Sequence, residues 1–240
     1  MTFRQRLAPL FLSPCCVPAL AVLGLLLFPG EALAHGVPEG DAGYIQATSG
    51  VLPGPFAYLG AKHMVTGYDH LLFLLGIIFF LYRRKDVALY VSLFAVGHSV
   101  TLIAGVLTGF SVSAYLIDAI IGLSVAYKAL DNLGAFRSWF GVQPDARAAT
   151  LIFGLFHGLG LATKILEFDV APDGLFANLV AFNVGVEVGQ ILALSAILIA
   201  MGAWRRTASF SRYAYSANVA LMSAGFVLTG YQLAGYLVYN

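Results

Sequence analysis

Residues 55–85 read PFAYLGAKHMVTGYDHLLFLLGIIFFLYRRK. From Phe56 to Tyr82 the run is apolar and exceeds the roughly 20 residues a helix needs to cross a bilayer. Arg83, Arg84 and Lys85 then stop it. Inside it sit His63, Asp69 and His70. A carboxylate at mid-bilayer costs about 2.5–3.5 kcal/mol on insertion scales, so a span that keeps one has a partner or a task for it.

The rest of the chain repeats this pattern. Of 240 residues, 60% are hydrophobic and 10% charged, with a mean hydropathy of +0.84. A soluble domain carries about 25% charged residues, so the composition excludes a disordered chain, a coiled coil and a cytosolic enzyme. A net charge of +1 leaves no basic surface for nucleic acid. Apolar spans are predicted at about 56–82, 87–109, 112–130, 148–166, 175–203 and 214–238. The expected fold is an all-α integral membrane protein: six transmembrane helices in one domain over residues 56–240, after a lead at 35–55.

Arg4 and Arg6 precede an apolar stretch that ends in Pro29, Gly30 and Ala32-Leu33-Ala34. A positive start, an apolar middle and an A-x-A ending describe a cleaved signal peptide over 1–34. Cleavage would make His35 the amino terminus, either a chelating residue or simply the one after the cut. Cys15 and Cys16 both lie in the leader, so the mature chain has no disulfide and no thiolate ligand. Every second gap is basic: Arg83, Arg84 and Lys85; Arg137 and Arg147; Arg205, Arg206 and Arg212. Basic gaps belong in the cytoplasm. The expected location is the inner (cytoplasmic) membrane, with both mature termini extracytoplasmic.

The polar residues within the spans define a layer. At a rise of 1.5 Å per residue, His70, His98, His157 and Glu187 all fall roughly 13–21 Å from the outer ends of their spans. Asn183, Glu187 and Gln190 follow at i, i+4 and i+7 on one face. His63 shares a face with His70 but stands roughly 10 Å away along a continuous helix, which assigns it to an entrance rather than to a shared ion. Asp69 is placed either as a ligand or as the carboxylate that orients a histidine. Asp118 lies shallower, in a supporting role, and Ser99 follows His98. Imidazoles and carboxylates without thiolates suit Ni²⁺, Zn²⁺, Cu²⁺ or Co²⁺; a structural hydrogen-bond network is the other use of such a layer. Glycines around these positions, Gly67, Gly97, Gly154, Gly158, Gly160, Gly185 and Gly189, let helix backbones approach closely.

His63-x3-Gly67-x-Asp69-His70-Leu71, with Gly76 beyond, resembles the first-helix signature of the hydrogenase/urease accessory membrane proteins (HupE/UreJ). Phe153-Gly154-x2-His157-Gly158 resembles their later glycine–histidine signature. The resemblance extends over essentially the whole mature chain. Met64 stands where the better-known branch has Pro, Leu161 where it has a second His, and Lys164 where it has an acidic residue; these mark the divergent second branch. The resemblance implies a nickel permease or a metal-handling partner of nickel enzymes. It also implies that His63, Asp69, His70 and His157 handle the metal, with metalloenzyme maturation proteins as conceivable partners.

Below the layer, Leu71–Leu81 and Ile191–Met201 are almost wholly apolar, and a permeant ion needs polar partners or a large rearrangement there. An intramembrane metal-dependent hydrolase is therefore the alternative, with metal on His70, His98 and His157 and Glu187 or Asp69 as general base. A third reading is a protein that binds and delivers metal without conducting it.

Overall fold

The computed structural model describes residues 49–167 and 172–239; the expected signal peptide, His35 and most of the lead fall outside them. Among the described residues there is no strand. The helices are α1 (Pro53–Thr66), α2 (Tyr68–Ile78), α3 (Arg84–Thr108), α4 (Ala114–Asn132), α5 (Ala135–Phe140), α6 (Ala146–Leu166), α7 (Leu175–Arg205) and α8 (Ala208–Tyr239). Four of them, α3, α6, α7 and α8, are long and apolar enough to cross a membrane.

The first expected span is not one helix. At Gly67 the backbone keeps φ −72° but opens to ψ 103°, which interrupts the ladder between α1 and α2. The N–H of Gly67 donates to the His63 carbonyl at 2.9 Å and closes α1, and the N–H of Leu71 donates to the Gly67 carbonyl at 3.1 Å and opens α2. Glycine costs a helix interior about 1 kcal/mol relative to alanine, so the break falls where the helix is weakest. A side chain is also excluded there: a Cβ on Gly67 would lie 2.6 Å from His70 Nδ1 and 3.2 Å from Asp69 Oδ1.

Close contacts fix which helices pair and in which direction. Gly185 on α7 leaves no room for a Cβ against the Ala57 carbonyl on α1, and Gly189 meets Ala61, so α1 and α7 run parallel. Gly154 faces the Phe94 carbonyl and Gly158 the His98 carbonyl, so α6 and α3 also run parallel. Gly122 meets Thr229 and Gly225 meets Ala126, so α4 and α8 run antiparallel. These contacts bring backbones together without large side chains between them, the packing expected where lipid supplies no hydrophobic drive.

Arg83, Arg84, Lys85, Arg137, Arg147, Arg205, Arg206 and Arg212 stand at helix ends or in the connections on one side of this bundle, while Lys62 and Lys164 lie away from it. At this basic end the last carbonyls of the short α2 find partners from other helices. Arg205 donates through Nη2 to the carbonyls of Phe79, at 2.9 Å, and Ile78. Asn132 Nδ2 donates to the Gly76 carbonyl at 2.8 Å and to Asn218 Oδ1 at 3.0 Å. A helix end buried without such donors would strand its orphan carbonyls. At the opposite end α3 closes on Gly109 at φ +67°, a left-handed position that glycine adopts without penalty.

Candidate metal centre

The break at Gly67 reshapes the layer. His63 is in the last turn of α1 and His70 in the first turn of α2. Their ring centroids are 5.1 Å apart, which corrects the expectation that His63 stands off at an entrance. The roughly 10 Å separation assumed an unbroken helix; the changed ψ at Gly67 removes that assumption. Helical side chains also lean toward the helix N-terminus, which carries the His70 ring back toward His63.

His63, His70 and His98 each offer one ring nitrogen, and these three atoms all lie within 4.8 Å of one another. They come from α1, α2 and α3. His157 on α6 completes the group of rings, 5.0 Å from His70 between centroids, while His98 is 6.0 Å from His70. His70, His98 and His157 are fully buried and His63 is half-buried. His63, His98 and His157 lie ten, ten and nine residues from the ends of their helices away from the basic end, about 15 Å of helix in each case.

Two of the rings have a fixed tautomer. Asp69 Oδ1 lies 3.1 Å from His70 Nδ1, and the Phe153 carbonyl lies 2.7 Å from His157 Nδ1. A carboxylate or a carbonyl oxygen only accepts, so each Nδ1 carries the proton and donates it. In the neutral form of either ring the lone pair is then on Nε2, the atom through which such an imidazole ligates a metal. Asp69 is thus the orienting carboxylate of its own neighbour. Its place in the first turn of α2 sets its negative charge against the positive end of that half-helix.

The donor set fits a transition metal. Three atoms mutually within 4.8 Å fit inside a circle of radius about 2.8 Å, and a metal–imidazole bond is about 2.0–2.1 Å. Each ring therefore needs to travel inward by at most about 0.7 Å to close on one ion. Toward the basic end the rings rest on aromatic side chains. Phe94 meets His157 edge-on at 4.9 Å and Phe73 lies 5.5 Å from it. Phe73 in turn packs on Phe94 and Phe153. Leu74, Ile77 and Ile78 below them are buried, in keeping with the apolar stretch seen in the sequence.

The remaining candidates divide. Glu187 is half-buried on α7 and stands outside the three-imidazole group. Asn183 turns its Nδ2 to the Leu179 carbonyl of its own helix at 2.9 Å. Gln190 reaches across to α3, with Nε2 3.4 Å from the Val91 carbonyl. Ser99 is half-buried on α3. Asp118 pairs with Lys164 on α6 at 2.8 Å. In the sequence Lys164 stands out only as a departure from the family pattern. Two lone opposite charges near the same ends of spans three and four were the signal that would have joined them. Thr101, donating to the Leu155 carbonyl at 2.6 Å, is a further residue whose role the sequence left unassigned; it ties α3 to α6 between His98 and His157.

No curated protein and no solved structure gave a match. A family model described as HupE / UreJ protein matches residues 39–240, which takes in every helix described and all four histidines of the cluster. With both signature segments inside that match and their histidines brought to one centre, the chain belongs to the HupE/UreJ protein family.

Proposed function

We propose that this protein is a multi-pass metal-handling protein of the inner membrane that takes up a divalent transition-metal ion, nickel or a close neighbour, from the extracytoplasmic side. In this reading α1 and α2 together make the first crossing and α4 the third, giving six. The basic end lies in the cytoplasm, as the distribution of Lys and Arg requires. The ion is cargo, held by His63, His70 and His98 and flanked by His157, with Asp69 balancing part of its charge through His70. Glu187 is the carboxylate nearest in depth on α7 and contributes at longer range.

One observation carries the proposal: three imidazole nitrogens donated by three helices lie within 4.8 Å of one another. A neutral imidazole set suits Ni²⁺, Zn²⁺, Cu²⁺ and Co²⁺ alike, so the metal is to be found by experiment. Elemental analysis of the purified protein and uptake by proteoliposomes are the direct tests. The expected result is one ion per chain, saturable uptake, and loss of both in His98→Ala. Tight binding without uptake of any divalent ion would replace the permease with a metal-binding accessory protein. Metal-free protein that binds no divalent ion would reject both.

A further inference from the structure

Between the imidazoles and the basic end the described core holds few buried polar side chains: Asn218 bonds Asn132, which also reaches the Gly76 carbonyl, and Thr150 bonds the Ala146 carbonyl, whereas Gln190 is left with one long contact. Gln190 is fully buried on α7, and among the described residues its Oε1 accepts no hydrogen bond. Its Nε2 lies 3.4 Å from the Val91 carbonyl on α3, a distance near the limit for an N–H···O bond. A buried amide oxygen without a donor is costly, and the helical Val91 carbonyl does not depend on the amide for its own hydrogen bond. Stability therefore does not explain the amide.

Its position suggests a use. Val91 precedes His98 by seven residues on α3, about 10 Å toward the basic end. Phe94, one turn from Val91, is the ring that lies against His70, His98 and His157. The amide thus lies beyond the aromatic floor of the imidazole centre. If the amide turns over, Oε1 and the Val91 carbonyl face one another. Two oxygens so placed repel unless a cation sits between them.

We propose that Gln190 Oε1 and the Val91 carbonyl form a second cation station, which receives the divalent metal from the imidazole centre on its way to the basic end. This rests on the permease reading above. Neutral oxygens hold late first-row metals more weakly than imidazole does, and a station that passes an ion on has to be weak. The amide donates to the carbonyl when the station is empty and coordinates when it is filled.

The test compares the unmodified protein, Gln190→Leu and Gln190→Glu in proteoliposomes, with Co²⁺, Ni²⁺ and Zn²⁺ as probes. For Gln190→Leu the expected result is one bound ion of unchanged affinity, a melting temperature at or above that of the unmodified protein, and uptake at least tenfold slower. For Gln190→Glu, which keeps the oxygen and adds charge, a second ion bound per chain is expected. Uptake by Gln190→Leu at the unmodified rate, or Gln190→Glu holding no second ion, overturns the station. Absence of uptake by the unmodified protein rejects the permease reading first, and the station with it.

Discussion

Gly158→Ala tests whether the imidazole centre depends on how closely α3 and α6 approach. A Cβ at position 158 would lie 2.0 Å from the His98 carbonyl oxygen and 2.4 Å from Thr101 Oγ1. Ordinary contact begins at 3.4 Å, so the two helices must part by about 1.4 Å at this level. That opens the Thr101–Leu155 hydrogen bond from 2.6 Å to about 4 Å, where it no longer counts as one. It also carries α6, with His157, about 1.4 Å away from His98 and so removes part of the packing that supports the three-imidazole group. Overpacking costs about 1–3 kcal/mol and the lost hydrogen bond about 1 kcal/mol. The gain of about 1 kcal/mol in helix propensity on leaving glycine offsets part of this. The expected net loss is about 1–3 kcal/mol, with metal affinity falling at least about tenfold, the lower range seen when the support of a ligand is disturbed. Unfolding in mixed micelles and calorimetric titration with Ni²⁺ or Zn²⁺ measure the two effects. Gly202→Ala is the matched control: a Cβ there meets nothing within 4 Å, so it should be neutral or stabilising by up to about 1 kcal/mol. Equal stability and equal affinity for the two variants would refute the reasoning.

Three further predictions follow from the same contacts. Asp69→Asn removes the charge that holds the His70 proton on Nδ1, and should weaken metal binding by about 10- to 100-fold with helix content unchanged by circular dichroism; unaltered affinity would show that Asp69 does not set the ring. Lys164→Ala leaves Asp118 buried beside an apolar gap and should cost about 3–5 kcal/mol, whereas Lys164→Leu with Asp118→Leu should restore most of it; unfolding that is equally weakened in both would reject the ion pair as the cause. Glu187→Gln should lower metal affinity by no more than about tenfold, while His98→Ala removes a direct ligand and should lower it by more than the roughly 100-fold that an outer-shell change reaches; titration that ranks them the other way would make Glu187 the ligand.

The hydropathy pattern suffices to read most of the long helices, four of them long and apolar enough to cross a membrane, because it is a one-dimensional property of the chain. His98 and His157 illustrate this: they lie at matching distances from their helix ends, and both rings lie against His70 and Phe94. His63 does not follow from the same arithmetic. Its place depends on a single ψ angle at Gly67, and a glycine inside an apolar run does not announce whether the helix continues through it. The side to which Glu187 and Gln190 face depends on which helix α7 packs against, and that partner is α1, far away in the sequence. Asp118 and Lys164 were each visible, but only the parallel pairing of α3 with α6 and the packing of α4 on α6 brings them together.

The pairing of α1 with α7 has a consequence for how the protein is made. Ala57 meets Gly185, so the surface that α1 buries does not exist until most of the chain has been synthesised. α1 has 14 residues and is not among the helices apolar enough to cross a membrane unaided. Until α7 is made, the face of α1 that carries Ala57 and Ala61 lacks its packing partner. A chain that terminates after α6 would therefore lose more than its last two helices. Its first helix would also lack the close contacts that Gly185 and Gly189 provide.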